Sequence, residues 1–444
     1  MEKLVRGDYM YKLYIDEKGP QNSFRKKEVF TMSEKIKYGS DKMHSYVANA
    51  LLIPVDNLEK VESEFLALER DYLTKRTQLK VNELKGQNIL KSNFVYGVSS
   101  LKEREVTFYN SVFSILENNG VNNLFFSINK IAIITNGQLG DWILELENRR
   151  FITNPAIVQY ILTKYAEIES SEEVIDKLLD ETVSTKDLLH TIKKDLQKII
   201  ECNKNNLRMK RQVDVYKEIV KLIKKYNHLE SNPVNIYQFD WSKFTYALDL
   251  WITEKEYLGK LKFSDIEVLL DEGMKKHHLD RLKFSRVEEN CKSEDHVGLR
   301  LTDHLVVLLG NYMYRLRDDS SYNYENPEKI KIISNKWFEL NEAQFLLIKR
   351  IYIFFLGDDS LYSFVNDTYF DESLNIESFL RYVDSYKNYN EFTQAKVNHP
   401  TEHFKIYQNL ADYKWEQSNK NAVLVRKKYG SYKKAIESGD MRPL

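Results

Sequence analysis

The sequence predicts an α/β fold with a large helical insertion and a C-terminal helical domain. Two stretches, 1–136 and 236–318, alternate short apolar strands with amphipathic helices, the pattern of a layered α/β core. Between them, residues 137–235 carry charges all along at helical spacing ("SSEEVIDKLLDETVSTKDLLHTIKKDLQKII", "VYKEIVKLIKKY"). From 319 to 444 the chain passes a polar linker and reads as helix down to a basic tail. Seven prolines and 15 glycines in 444 residues leave room for long helices.

Taken in order, Tyr11–Glu17 opens as a strand, with Leu13 and Ile15 alternating with Tyr14. "SYVANALLIP", Ser45–Pro54, is the next strand. "DNLEKVESEFLALERDYL" from Asp56 is a helix with an acidic first turn. "LKVNELKG", Leu79–Gly86, is a short strand or a strand-to-loop segment. "LKEREVTFYNSVFSILENNG" puts Val106, Tyr109, Phe113 and Leu116 on one helical face and stops at a C′ glycine, Gly120. "NNLFFSINKIAII" reads as a buried strand. The insertion follows, with its hairpin turn around Asn203–Lys210 and its end near "NPVN". "DWSKFTYALDLWITEKEYLG" is a helix, "SDIEVLLDEG" a strand, and "DHVGLRLTDHLVVLLGNYMYRL" a long apolar helix. "DDSSYNYENPEK" from Asp318 is the polar linker.

Lys+Arg and Asp+Glu both number 66, so no global charge draws the chain to nucleic acid or membrane; any such signal is local. The two cysteines, Cys202 and Cys291, stand far apart. They fit a reducing cytosol and argue against a disulfide framework or a thiolate metal site. "MEKLVRGDYMYK" has no apolar core of a secretory signal, and "FLLIKRIYIFFLG" is broken by Lys349 and Arg350 and too short to span a bilayer. A cytoplasmic protein without a membrane partner is expected.

The acids carry the chemical signal. Asp16 and Glu17 end the first strand, and Asp271 and Glu272 end "IEVLLDEG" in the same way, each pair followed closely by glycine. Within each pair the side chains point to opposite faces. If the two strands are neighbours, Asp16 and Asp271 meet at one end of the sheet; the alternative is a pair of solvated strand ends. Asp303 sits inside a helix that is apolar nearly all round, where a carboxylate needs a cation, a helix N-terminus or a metal. An ion pair with Arg300, one turn earlier, is the plainer account. Glu83, in "NELKG", is the fourth acid, and on its own reads as an exposed loop glutamate. Carboxylates gathered from separate strand ends and a helix are what two divalent cations require: such ions take hard oxygen ligands, keep part of their water and together drive phosphodiester hydrolysis.

The ordered set "YIDEKG" (Tyr14–Gly19), "NELKG" (Asn82–Gly86), "LLDEG" (Leu269–Gly273) and "GLRLTDHLVVLLG" (Gly298–Gly310) resembles the domain-of-unknown-function 3800 family, over residues 8–135 and 236–318. The resemblance implies a ribonuclease-H-like mixed-sheet core and a metal-dependent nuclease acting on DNA or RNA, in a phage-defence or mobile-element setting. It implies Asp16, Glu83, Asp271 and Asp303 as catalytic and metal-binding acids for two Mg2+ or Mn2+ ions, with Asp16 bridging both. Lys18 and Arg300 depart from the family pattern. With Lys85 they are the nearest cations for phosphate charge, or else marks of a site that has lost its metals. The alternative function is therefore an inactive ribonuclease-H-like module that binds nucleic acid, a protein partner or a second copy through its helical regions.

Other motifs are weaker. "TNGQLG" (Thr135–Gly140) lacks the spacing and lysine of a phosphate loop. His277 and His278 are adjacent and cannot share a helical face as zinc ligands. His304 neighbours Asp303 and reads as a packed histidine before a general base. "NNLRMKRQ" around Arg208 and "VRKKYGSYKK" near Lys427 are basic patches, either solvated helix faces or phosphate contacts.

Overall fold

The protein is described from a computed structural model covering residues 9–19, 24–37, 43–75, 81, 83–90, 94–229, 231, 241–321, 332–357, 363–366 and 368–441. The first strand, β1 (Tyr11–Lys18), leads to a short hairpin of β2 (Arg25–Lys26) and β3 (Ile36–Lys37), and then to β4 (Ser45–Pro54). Helix α1 (Val55–Thr74) starts directly after Pro54, followed by α2 (Gly86–Leu90) and α3 (Glu103–Asn118). Next come β5 (Asn122–Asn129), α4 (Lys130–Asn148), α5 (Pro155–Ile168), α6 (Glu172–Leu178), α7 (Thr185–Cys202), α8 (Lys210–Tyr226) and α9 (Trp241–Tyr257). The strands β6 (Ile266–Asp271) and β7 (Arg286–Cys291) precede the long helix α10 (Val297–Ser320). The chain ends with α11 (Glu342–Leu356), β8 (Phe364–Asn366), α12 (Asp371–Asp384), α13 (Tyr389–Gln394), α14 (His399–Tyr429) and α15 (Tyr432–Glu437).

Six strands make one mixed sheet in the order β7-β6-β1-β4-β5-β8. β4 runs antiparallel to both β1 and β5, while β6 is parallel to β1, β7 to β6 and β8 to β5. Both faces are covered, which is why the central strands are apolar on successive residues rather than on alternate ones. Leu13, Ile15, Ala48, Ala50, Leu124 and Phe126 face one helical layer, and Tyr14, Val47, Leu51 and Phe125 face the other.

The stretch expected as an insertion supplies most of the first layer, joined by α9 from beyond it. α4 and α9 lie against β5, and α5, α6 and α7 pack on α4 with α8 behind α7. The second layer is α1, α3, α10, α11 and α12. Residues beyond 319 contribute β8 to the sheet edge as well as helices.

Most expected elements lie where periodicity put them, and the departures have local causes. "NNLFFSINKIAII" is a strand only as far as Asn129. The Asn129 carboxamide oxygen accepts from the N–H groups of Ile131 and Ala132 and caps α4, so the apolar run "KIAII" turns helical. Gly120 does close α3: at φ +63° it lets Val121 N–H reach Leu116 O at 3.1 Å. Glu83–Lys85 form a loop and Gly86 begins a helix; residues 79, 80 and 82 of "LKVNELKG" and 322–329 of the linker lie outside the described residues. Asp318–Ser320 belong to α10 rather than to a linker. β7, "RVEENC", is an edge strand whose charges hid it from an apolar pattern.

Helix α10 packs on β1 and β4. It comes close because Gly298 has no side chain: a Cβ there would collide with the ring of Tyr14. Alanine in place of an ordinary helix-interior glycine adds about 1 kcal/mol of stability. Gly298→Ala is expected instead to lower stability by about 1–3 kcal/mol through overpacking. Urea unfolding checks this; an unchanged or higher midpoint would mean that α10 does not rest on Tyr14.

Candidate functional site

Asp16 ends the buried part of β1 and is itself 7% exposed. β1 and β6 are parallel neighbours with Ile15 opposite Leu270, so the next residues, Asp16 and Asp271, stand side by side on one face. Their carboxyls lie within hydrogen-bonding reach of each other. Asp303 reaches them from α10. Burial, then Asp303, then Asp271 push the Asp16 carboxyl well above the usual range. Burial also raises Asp271 and Asp303. Three aspartates from two strand ends and a helix therefore stand near enough for burial and mutual repulsion to disfavour their charged forms.

Some hydrogen bonds are supplied. Glu17 N–H donates to Asp16 Oδ1 at 2.6 Å, and Gly86 N–H donates to Asp303 Oδ2 at 2.7 Å. The second bond needs α2 to start hard against α10, and a Cβ on Gly86 would sit 2.9 Å from Val307 Cβ. Lys85 acts on both Asp271 and Asp303, and Lys18 on Asp303. Lys85 is exposed, while Lys18 Nζ donates to Asn311 Oδ1 at 2.9 Å. Glu17 points to the other face toward Tyr46, and burial pushes its carboxyl up to about 7.

Glu83 and Arg300 go elsewhere. Glu83 Oε1 lies 4.0 Å from Arg300 Nε, and Glu83 is not among the groups acting most strongly on the three aspartates. Arg300 is not paired with Asp303. Its guanidinium holds Glu69 Oε2 at 2.8 Å and the carbonyls of Ser293 and Glu294 at 2.8 and 2.7 Å. Glu69 Oε1 in turn accepts from Leu84 N–H at 2.7 Å, so Arg300 and Glu69 fasten the loop that carries Lys85. His304 is fully buried among Phe65, Phe108 and Tyr109, with Nε2 2.9 Å from Leu84 O. Burial pushes it down to about 4, so it is neutral and holds the same loop.

A second polar cluster was not legible in the sequence. His44, Glu167 and Glu372 bring ligand-type atoms within 4.8 Å of one another. Arg317 already lies among them, 2.9 Å from Glu167 Oε1 and 2.8 Å from Glu372 Oε1. Tyr369 donates to Glu167 Oε2 at 2.5 Å, and Ser45 donates to Glu372. Burial would raise Glu167, but Arg317, His44 and Tyr369 outweigh it and hold that carboxyl below its usual value. Burial and Arg317 push His44 down to about 4. With a guanidinium in place and a neutral imidazole, the cluster is an ion-paired joint of β4, α5, α10 and α12 rather than a cation seat.

The basic tail is also partly structural. Arg426 meets Glu147 Oε1 at 2.9 Å, Tyr432 N–H donates to Glu147 Oε2 at 2.9 Å, and Tyr432 is 3% exposed. Arg208, Lys210 and Arg211 of the other patch are exposed. Among the described residues no helix is long and apolar enough to cross a membrane.

No family model, curated protein or solved structure matches this chain.

Two outcomes follow from these electrostatics. Carboxyls whose folded-state pKa is raised favour the fold while protonated. Their contribution is complete below the unfolded value near 3.8 and is lost as pH rises through the folded value. In EDTA the melting temperature should fall as pH rises from about 4 toward neutrality, and Asp16→Asn should flatten that fall; equal slopes in both proteins would contradict the clustering. Arg317→Ala leaves two buried glutamates without their cation and should cost about 3–5 kcal/mol. Denaturant titration measures it, and a loss under about 0.5 kcal/mol would place the pair in the solvent-screened class.

Proposed function

We propose that the chain is a metal-dependent nuclease with a ribonuclease-H-like core. One observation carries the proposal: Asp16, Asp271 and Asp303, from three separate elements, act on one another's charge, and the nearby Arg300 pairs with Glu69 instead of with them. Clustered carboxylates oppose folding unless a cation or protons join them, and oxygen donors are what Mg2+ and Mn2+ take. In chemical type, three carboxylates suit the implied ions. The strand order β5-β4-β1-β6-β7, with β4 alone reversed, supports the core assignment, since it is the arrangement expected of that fold.

In this reading Asp16, Asp271 and Asp303 hold the metal, with Asp16 central because it neighbours both others. A divalent ion bound there would supply an activated water and stabilise charge on the departing oxygen of a phosphodiester. Lys85 is placed at the rim by the Glu69–Arg300–His304 network and can meet a phosphate oxygen. Lys18, held by Asn311, also acts on Asp303. Arg300 acts on phosphate only indirectly, by fixing the Lys85 loop. Glu83, turned toward Arg300, serves that loop in the present arrangement. DNA and RNA are both substrates of the right chemistry.

The test is cleavage of labelled DNA and RNA with Mg2+, Mn2+ or EDTA, together with melting curves. Asp16→Asn should abolish metal-dependent cleavage and leave the far-UV spectrum unchanged. A cation that binds the native form alone should stabilise it by about 2.7 kcal/mol at a hundredfold excess over Kd, and Asp303→Asn should remove most of that gain. Cleavage by Asp16→Asn at the wild-type rate sinks the proposal. If Mn2+ leaves wild type and Asp303→Asn melting alike, the inactive binding module takes its place.

A further inference from the structure

Two fully buried polar side chains beside the three aspartates have no hydrogen-bond partner among the described residues. Asn49 lies in β4 directly opposite Asp16, so both side chains stand on the same face of the sheet. Directly opposed Cβ atoms are about 5 Å apart. Asn49 is 0% exposed, and neither its Nδ2 nor its Oδ1 is bonded. On that face its strand neighbours are Val47 and Leu51, and α10 packs over them. The second group is the Tyr109 hydroxyl, brought in by α3. It too is 0% exposed and unbonded. The Tyr109 ring meets the ring of His304, the residue after Asp303, with centroids 6.2 Å apart, and the Asp303 charge is felt at the hydroxyl.

Buried carboxamides and hydroxyls are normally paired, because an unmade bond costs more than the group contributes. Leucine at 49 and phenylalanine at 109 would fill the same space without that cost. Asn49 stands opposite Asp16 across the β1–β4 pair, and the Tyr109 ring meets the residue next to Asp303. Both groups point to a polar species that the described residues do not supply. Mg2+ and Mn2+ keep several of their waters when carboxylates fill only part of their shell, and a buried water needs about three hydrogen-bond partners.

Resting on the metal-dependent reading above, we propose that Asn49 and Tyr109 are positioning residues that hold the water retained by a divalent cation at Asp16 and Asp303. The Asn49 carboxamide can donate or accept, and the Tyr109 hydroxyl can do the same. The pocket then favours an ion that arrives partly hydrated over one that must be stripped.

The experiment is calorimetric titration with Mn2+, paired with melting in EDTA, for wild type, Asn49→Leu, Tyr109→Phe and Asp303→Asn. Both polar-to-apolar variants should melt at or above wild type in EDTA, since each removes an unpaired buried group and keeps its shape. Each should bind Mn2+ about tenfold more weakly, and Asp303→Asn should lose binding. Unchanged Mn2+ affinity in both apolar variants overturns this inference and leaves the nuclease reading standing. So does a lower melting temperature of both in EDTA, which would mark the two groups as structural. If wild type binds no Mn2+, or binds it equally without Asp303, the nuclease reading itself falls. Tyr109→Phe removes a single oxygen, so the test survives even if Asn49→Leu misfolds.

Discussion

The rest of the structure depends on how closely helix α10 lies against β1 and β4. That contact sets Asp303 over Asp16, and it exists because Gly298 yields its place to the Tyr14 ring. A helix standing off the sheet by one side-chain layer would leave the carboxyls hydrated and largely independent. Brought close, they lose water together, and each raises the cost of charging the next. Burial of the carboxyls is thus set by one helix–sheet distance, and packing of Gly298 and Gly310 against Tyr14, Val47 and Met43 fixes it.

Around the aspartates the protein invests polar groups unevenly. Asp303 and Asp16 each receive one backbone N–H. Glu69, by contrast, is bonded by Arg300 and by Leu84 N–H, and His304 adds a bond to Leu84 O. Charge is neutralised where the loop must stay still and left in excess where the three carboxyls meet. The Glu69 ion pair completes its shell within the fold, whereas burial and mutual charge push the three aspartates up. The same contrast separates the aspartates from the His44–Glu167–Glu372 cluster, whose positive partner, Arg317, is part of the fold.

The helical parts are not appendages to a finished core. α4 and α9 cover one face of the sheet, which would otherwise expose Leu13, Ile15, Ala50 and Phe126 to water. Arg317 joins α10 to α5 and α12, so the two layers are tied at the end of the sheet where the aspartates lie. Helix α14, 31 residues and so about 46 Å long, packs on α12 and α15 and reaches back to α4 and to Asn154 through Arg426, Ser418 and Asn419. Cations that looked available for phosphate in the sequence, Arg426 above all, are spent on this closure.

The sequence by itself determined the α/β class, the positions of β1, β4, β6, α3 and α10, and the suspicion attached to Asp16, Asp271 and Asp303. Those were legible because the signals are local: an apolar run of strand length, a 3.6-residue stripe, an acid placed where apolar residues surround it. Asn49 was legible in principle, as an amide in the middle of the all-buried strand "SYVANALLIP", but nothing local says which face it takes. Only the tertiary structure decided that β6 lies beside β1, that the helical stretch forms a layer, and that the charged β7 and the three-residue β8 extend the sheet. It also decided the partners of the charged residues. Arg300 lay one turn from Asp303 in sequence yet went to Glu69, 231 positions away, and Arg317 went to Glu167, 150 away. A long side chain can reach several partners from one backbone position. Which carboxylate it meets depends on how distant elements pack, and that packing is governed by apolar surface rather than by charge.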